Sequence, residues 1–113
     1  VAKIYDPLHP AVIHELARIS RIARENNLPI CLCGEMASDP IAVMLLIGMG
    51  FRKLSMSSAK LPFIKCLIRS ISIQDTQNFI SIASGLDKAS SIREYGLNLL
   101  NSVNVDFEAA IKI

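Results

Sequence analysis

The chain has 113 residues, and at that length roughly 60–70% of the unfolded surface can be buried, enough for one domain with a real core. Hydrophobic residues make up 51% and charged residues 19%, a balance that excludes an intrinsically disordered chain. A net charge of +2 is too small to point to nucleic acid as a partner.

Residues 1–10 read as an irregular lead-in with Asp6 and two prolines, Pro7 and Pro10. They show no basic segment followed by an apolar run, so no signal peptide is expected. From Ala11 the apolar positions Val12, Leu16, Ile19 and Ala23 recur at helical spacing, with Arg18, Arg21 and Glu25 between them. This predicts an amphipathic helix, ended by Asn26-Asn27 and Pro29. Arg18, Arg21 and Arg24 form a basic stripe that could face a phosphate, but Glu15 and Glu25 lie close by. The stripe is read as the solvated side of the helix.

Residues 29–33 are short, apolar and bounded by Pro and Gly, which suits a buried strand. Asp39-Pro40 is a helix start, with Asp39 as N-cap and Pro40 in the first helical position. The helix is apolar nearly all round, should be buried on most sides, and is expected to close at Gly48 and Gly50. The longest apolar run, residues 41–51, has about half the residues of a membrane-spanning helix, so no membrane association is expected. The mean hydropathy of +0.41 is instead read as the mark of a piece of a larger protein that covers its apolar faces. Residues 53–56 read as a second short strand. A helix follows with Pro62 in its first turn and Leu61, Ile64, Ile68 and Ile71 on one face, opposite Lys65 and Arg69. A break is expected at residues 72–74, then helices over about 75–84 and 88–103, the second carrying Ile92, Leu99 and Val103 on one stripe. Residues from Asn104 onward form a weakly determined tail.

Strands alternating with helices call for a parallel sheet. Two strands alone cannot make one with both faces covered, and a complete eight-fold barrel needs about 250 residues. The expected fold is therefore α/β: the C-terminal part of a (β/α)8 barrel, with about two short parallel strands and five helices, helix-rich as it stands. Residues 1–113 are read as one partial domain, with a barrel segment over 1–71 and terminal helices over 72–113.

The stretch with the most chemistry is Cys31-Leu32-Cys33-Gly34-Glu35-Met36-Ala37-Ser38-Asp39-Pro40. Alternation along a strand puts Cys31 and Cys33 on one face and Ile30 and Leu32 on the other. Cys33 would end the strand at its C-terminal edge, the rim where barrel active sites are built. Gly34 would let the backbone turn sharply or approach a ligand closely, which makes it a candidate substrate-binding residue. Free N–H groups at the start of the following helix could favour an anion at that rim. Pattern alone also allows Cys33 to be an inert buried thiol. Cys31 and Cys66 are read as core packing, as are Met36, Met44, Met49 and Met56 for the most part. Glu35 is read as a structural partner in the turn. An odd count of three cysteines does not suggest a disulfide framework and points to a reducing, cytoplasmic setting. A metal or redox site built from Cys31 and Cys33 is disfavoured by the spacing and by the placement of His9 and His14 near the first helix.

The run Cys33 to Pro40 is accompanied by Leu45-Leu46-Ile47-Gly48-Met49-Gly50-Phe51, Leu54-Ser55-Met56-Ser57 and Pro62-Phe63-Ile64-Lys65. Together these resemble the end of the phosphoenolpyruvate-binding domain of enzyme I phosphoenolpyruvate–protein phosphotransferases. Tyr5-Asp6-Pro7-Leu8-His9-Pro10-Ala11 matches as well and is most similar to the nitrogen-related branch of that family. The resemblance covers residues 1–69 with specific motifs and departs at Ser38, where the family usually has glycine. It implies a barrel that binds phosphoenolpyruvate with Mg2+, passes the phosphoryl group to a histidine on another domain and then to a phosphocarrier protein, and works as a homodimer. The cysteine matching Cys33 would protonate the enolate to give pyruvate. The magnesium ligands and phosphate-binding arginines of the family would lie outside this chain, and neither His9 nor His14 matches its phosphohistidine motif. The chain alone is therefore expected to be inactive and to bind no cofactor. The alternatives are the related barrels of pyruvate phosphate dikinase and phosphoenolpyruvate synthase, or a non-catalytic dimerisation module.

Overall fold

The computed structural model describes residues 6–103, so Tyr5 and the tail from Asn104 lie outside the described residues. The order of elements is α1 (Pro10–Glu25), β1 (Leu32–Cys33), a 3₁₀ turn (Glu35–Ser38), α2 (Pro40–Met49), β2 (Leu54–Ser55), α3 (Leu61–Ser70), α4 (Ile73–Ala83) and α5 (Ala89–Ser102). β1 and β2 pair in parallel, with Leu32 opposite Leu54 and Cys33 opposite Ser55. The expected two parallel strands and five helices are present. The strands are shorter than the sequence pattern predicts, because each has only the other to pair with among the described residues. Leu32 donates its N–H to the carbonyl of Lys53 at 3.1 Å.

α2 is the centre of the molecule. Its N-terminus is closed by Asp39, whose Oδ1 accepts from the N–H of Ile41 at 3.0 Å and of Ala42 at 3.4 Å. Ala42 through Leu46 are fully buried, and each large side chain among them contributes on the order of 1.5–3 kcal/mol by leaving water. The helix does not close at Gly48. It runs to Met49 and stops at Gly50, which takes the left-handed conformation (φ 114°). The N–H of Phe51 then reaches the carbonyl of Leu46, and that of Gly50 the carbonyl of Ile47, satisfying two end carbonyls. Gly48 lies instead inside the helix, where α4 crosses it. A Cβ there would stand 2.3 Å from the carbonyl oxygen of Thr76.

The other helices wrap α2, and two of their buried faces differ from the expected ones. On α1 the buried residues are Ile13, Ser20 and Ala23, with Leu16 half-buried, whereas Ile19 is 41% exposed. Ser20 is buried because its hydroxyl donates to the carbonyl of Met49 at 2.8 Å, joining α1 to the last turn of α2. On α3 the core residues are Ile64 and Leu67, while Leu61 and Ile68 are 39% and 46% exposed. One face of a short helix can be read from periodicity, but its azimuth against α2 is set by contacts from elsewhere in the chain.

Ser72 caps α4 by accepting from the N–H of Asp75, so residues 73 and 74 are helical and the break narrows to the residues before them. α4 and α5 meet through Phe79 and Tyr95, whose rings stack with centroids 5.4 Å apart. α5 carries Ile92 into the same core, as the pattern predicts, with Leu99 packed beside it. No helix among the described residues is long and apolar enough to cross a membrane.

Candidate functional site

Both strands run the same way, so the segments that follow them, residues 34–39 and 56–60, open on one edge of the sheet. In open parallel sheets that edge is where ligands gather. Between the two segments lies a cleft of about 770 Å³. Gly34, Glu35 and Asp39 line one side and Ser55, Ser57 and Lys60 the other. Cys33 stands at the end of β1 immediately before it, and its side chain is exposed.

Gly34 is in a conformation, φ 107° and ψ −166°, that essentially only glycine adopts. A Cβ at this position would meet nothing within 4 Å, so the backbone angle alone demands glycine. The chain then closes a 3₁₀ turn, in which Ala37 donates to the carbonyl of Gly34 at 3.2 Å and the Ser38 hydroxyl to the carbonyl of Glu35 at 2.9 Å. Ser38, the departure from the expected glycine, thus fits the turn and ties it. It needs no left-handed backbone, since Asn27 is the one non-glycine among the described residues with positive φ.

Three expectations change here. Cys31 is exposed rather than part of the core. It shares a face with Cys33, as strand alternation requires, while Ile30 and Leu32 turn toward the helices. Desolvation, the hydrogen bond to Cys33 and the charge of that neighbour push the Cys31 thiol above its ordinary value, against the pull of Lys53. Cys66 is half-buried on α3. The N–H groups opening α2 are not free to hold an anion, because Asp39 already accepts those of Ile41 and Ala42. The cation facing the cleft is Lys60, which the sequence pattern does not single out. The signal that could have found it is its place just after a predicted strand end, on the same edge as Cys33.

Asp39 has a second role that the sequence does not announce. Its Oδ2 accepts from both terminal nitrogens of Arg93 at 3.4 Å, and the same guanidinium donates to Oδ1 of Asp6 at 3.0 Å. Asp6 also accepts from the N–H of Leu8 at 2.9 Å. Desolvation pushes the Asp6 carboxyl up, but the Leu8 N–H and Arg93 outweigh it and hold the group below its ordinary value of 3.8. Stability from this contact is therefore complete above pH 3.8 and lost as the pH falls through the lower folded value. Asp6 is 37% exposed, so the slope should be shallow. Denaturant midpoints measured from about pH 6 down to about pH 2.5 should fall at the acid end, and less steeply in Arg93→Gln. Equal slopes in the two proteins would refute the assignment.

Two members of the basic stripe on α1 are ion-paired: Arg18 with Glu15, and Arg21 with Glu25 at 3.4 Å. His9 caps α1, its Nδ1 accepting from the N–H of Ala11, and His14 Nε2 lies 3.2 Å from the carbonyl oxygen of Ser84. Neither histidine is at the cleft. The residues around the cleft do not fit a magnesium site. Magnesium prefers several oxygen ligands in octahedral array, whereas Asp39 is committed to α2 and Arg93, which leaves Glu35 as the free carboxylate. No group of three or more metal-ligating side chains occurs among the described residues.

Comparison with known proteins matches residues 1–73 to the family model described as PEP-utilising enzyme, PEP-binding domain. A Salmonella typhimurium protein named "Phosphoenolpyruvate-dependent phosphotransferase system" is 41% identical over 93 residues, 82% of this chain and 12% of that protein. A Cupriavidus necator "Phosphoenolpyruvate-protein phosphotransferase" is 49% identical over 65 residues, 58% of this chain and 11% of that protein. A Mycoplasma genitalium protein of the same name is 31% identical over 105 residues, 93% of this chain and 18% of that protein. The chain thus spans less than a fifth of the length of each of these relatives.

Proposed function

Because the chain belongs to the PEP-utilising enzymes, through the PEP-binding domain of that family, we propose that it forms the last part of a phosphoenolpyruvate–protein phosphotransferase barrel and supplies Cys33, the general acid that protonates the enolate carbon. The reading rests on one observation above the others: Cys33 ends a parallel strand immediately before Gly34, which lines the cleft. The β1–α2–β2 unit is one step of the proposed (β/α)8 barrel, and the lead-in motif 5–11 supports the nitrogen-related branch.

In the reaction, the phosphorus–oxygen bond of phosphoenolpyruvate breaks as a histidine nitrogen of another domain takes the phosphoryl group. The electron pair stays on the enol oxygen, giving an enolate. Cys33 Sγ gives its proton to the terminal carbon of that enolate, leaving pyruvate and a thiolate that solvent reprotonates. A thiol suits the task, since its acidity lies near enough to neutrality for the proton to move both ways. Gly34 lets the turn approach substrate, and Lys60 places a positive charge on the facing wall. Metal and phosphate-binding groups would come from outside this chain, so the chain alone should not turn over. A phosphocarrier protein is the proposed final acceptor. Exposed Ile19 and Ile22 on α1 are consistent with a parent that pairs as a homodimer.

The test is made in the full-length protein. Phosphoenolpyruvate labelled in the phosphoryl group should transfer label to a protein histidine with equimolar release of pyruvate. Release of inorganic phosphate without a labelled histidine, or a requirement for nucleotide, would overturn the reading in favour of another PEP-utilising enzyme.

A further inference from the structure

Arg93 lies on α5, outside the residues matched to the PEP-binding domain, yet it closes a contact at the cleft. Its guanidinium joins Asp6, 87 positions earlier, to Asp39, 54 positions earlier. Asp39 ends the turn that begins after Cys33 and lines the cleft, and Pro7, beside Asp6, lines it too. Asp39 therefore has both oxygens committed: Oδ1 to the start of α2, and Oδ2 to Arg93. Without the cation, two carboxylates would face each other with no counter-charge, and the turn could part from the lead-in. The planar fork of arginine can serve both acids at once, which a lysine ammonium cannot do in the same geometry.

We propose that Arg93 is a positioning residue for the proposed reaction: by holding Asp39 to Asp6 it fixes the turn of residues 34–39 against the cleft, and with it Cys33. α5 is then part of the working site rather than an appended helix. The inference rests on the reading of Cys33 as the general acid toward the enolate carbon.

The test uses Arg93→Gln and Arg93→Lys in the full-length protein, with phosphoenolpyruvate turnover and the KM for phosphoenolpyruvate measured separately. Misplacing a reacting group by about 1 Å can cost about 100-fold in rate, so Arg93→Gln should lose about 10- to 100-fold in kcat. Arg93→Lys should recover part of it, since charge returns without the fork. A second measurement keeps folding and positioning apart. In the 113-residue chain, the alkylation rate of Cys33 should change in Arg93→Gln, relative to Cys66 on α3. Wild-type kcat and an unchanged Cys33 rate in folded Arg93→Gln would overturn the proposal, as would equal changes at both cysteines. If Cys33→Ala turns over normally, the reading of Cys33 falls. The alkylation comparison then still decides whether Arg93 fixes the turn.

Discussion

Gly48→Ala is expected to destabilise the fold by about 1–2 kcal/mol net, although alanine is the better helix former. The two effects oppose each other, and their sizes decide the outcome. Replacing glycine by alanine inside a helix gains about 0.8–1 kcal/mol of propensity. Against this, the new Cβ would stand 2.3 Å from the Thr76 carbonyl oxygen and 2.8 Å from its carbon, with Ile80 Cγ2 at 3.2 Å. Backbone atoms cannot rotate away, so α4 must move off α2. That movement would open the core around fully buried Phe79 and Thr76. Overpacking of this kind costs about 1–3 kcal/mol and sometimes more. Gly85→Ala is the control: its Cβ would meet the Ile82 carbonyl oxygen at an ordinary 3.6 Å. Denaturant melts of the two variants should separate clearly, with Gly85→Ala near wild type. A Gly48→Ala protein as stable as the parent would show that α4 does not pack on α2 this closely.

The second large effect is on activity. In the full-length protein, Cys33→Ala should lower the conversion of phosphoenolpyruvate to pyruvate by about 10²–10⁴-fold, the usual contribution of a positioned general acid. The defect should be confined to carbon. Exchange of the pyruvate methyl protons with solvent deuterium, which needs the thiolate as base, should fall at least as far. Phosphoenolpyruvate binding should hold within a few-fold, because the thiol is not proposed to contact the phosphate. Cys31→Ala should leave both rates within a few-fold, since Cys31 lies two residues further from the cleft, with Leu32 and Cys33 between it and the lining residue Gly34. Retention of more than a tenth of the wild-type rate by Cys33→Ala would remove it from the mechanism. Equal losses in Cys31→Ala and Cys33→Ala would point to a packing effect on β1.

Some of the site was legible from local signals. Asp39-Pro40 announced the start of α2 and the residue that caps it, and Cys33-Gly34 marked a strand end and a turn that only glycine can make. These depend on residues within one helical turn of each other. The core position that an apolar strand implies for Cys31 does not hold, because the cysteine side of the strand is open among the described residues. Spacing likewise puts Leu61 and Ile68 on the apolar stripe of α3, but Ile64 and Leu67 are the residues turned to the core.

The amino-acid sequence by itself determined the element order, the parallel pairing implied by strand–helix alternation, the family, and the place of Cys33 at a strand end. All of these follow from short-range periodicity, turn chemistry or contiguous motifs. Only the tertiary structure decided that Gly48 is a crossing point rather than a helix end, that Lys60 faces the cleft, and that Arg93 on α5 joins Asp6 to Asp39. The physical reason is distance along the chain. A contact that closes 54 or 87 residues leaves no periodic trace in either partner, so its meaning emerges once packing brings the charges together. Cys33 could be named from its neighbours; what holds its turn in place could not.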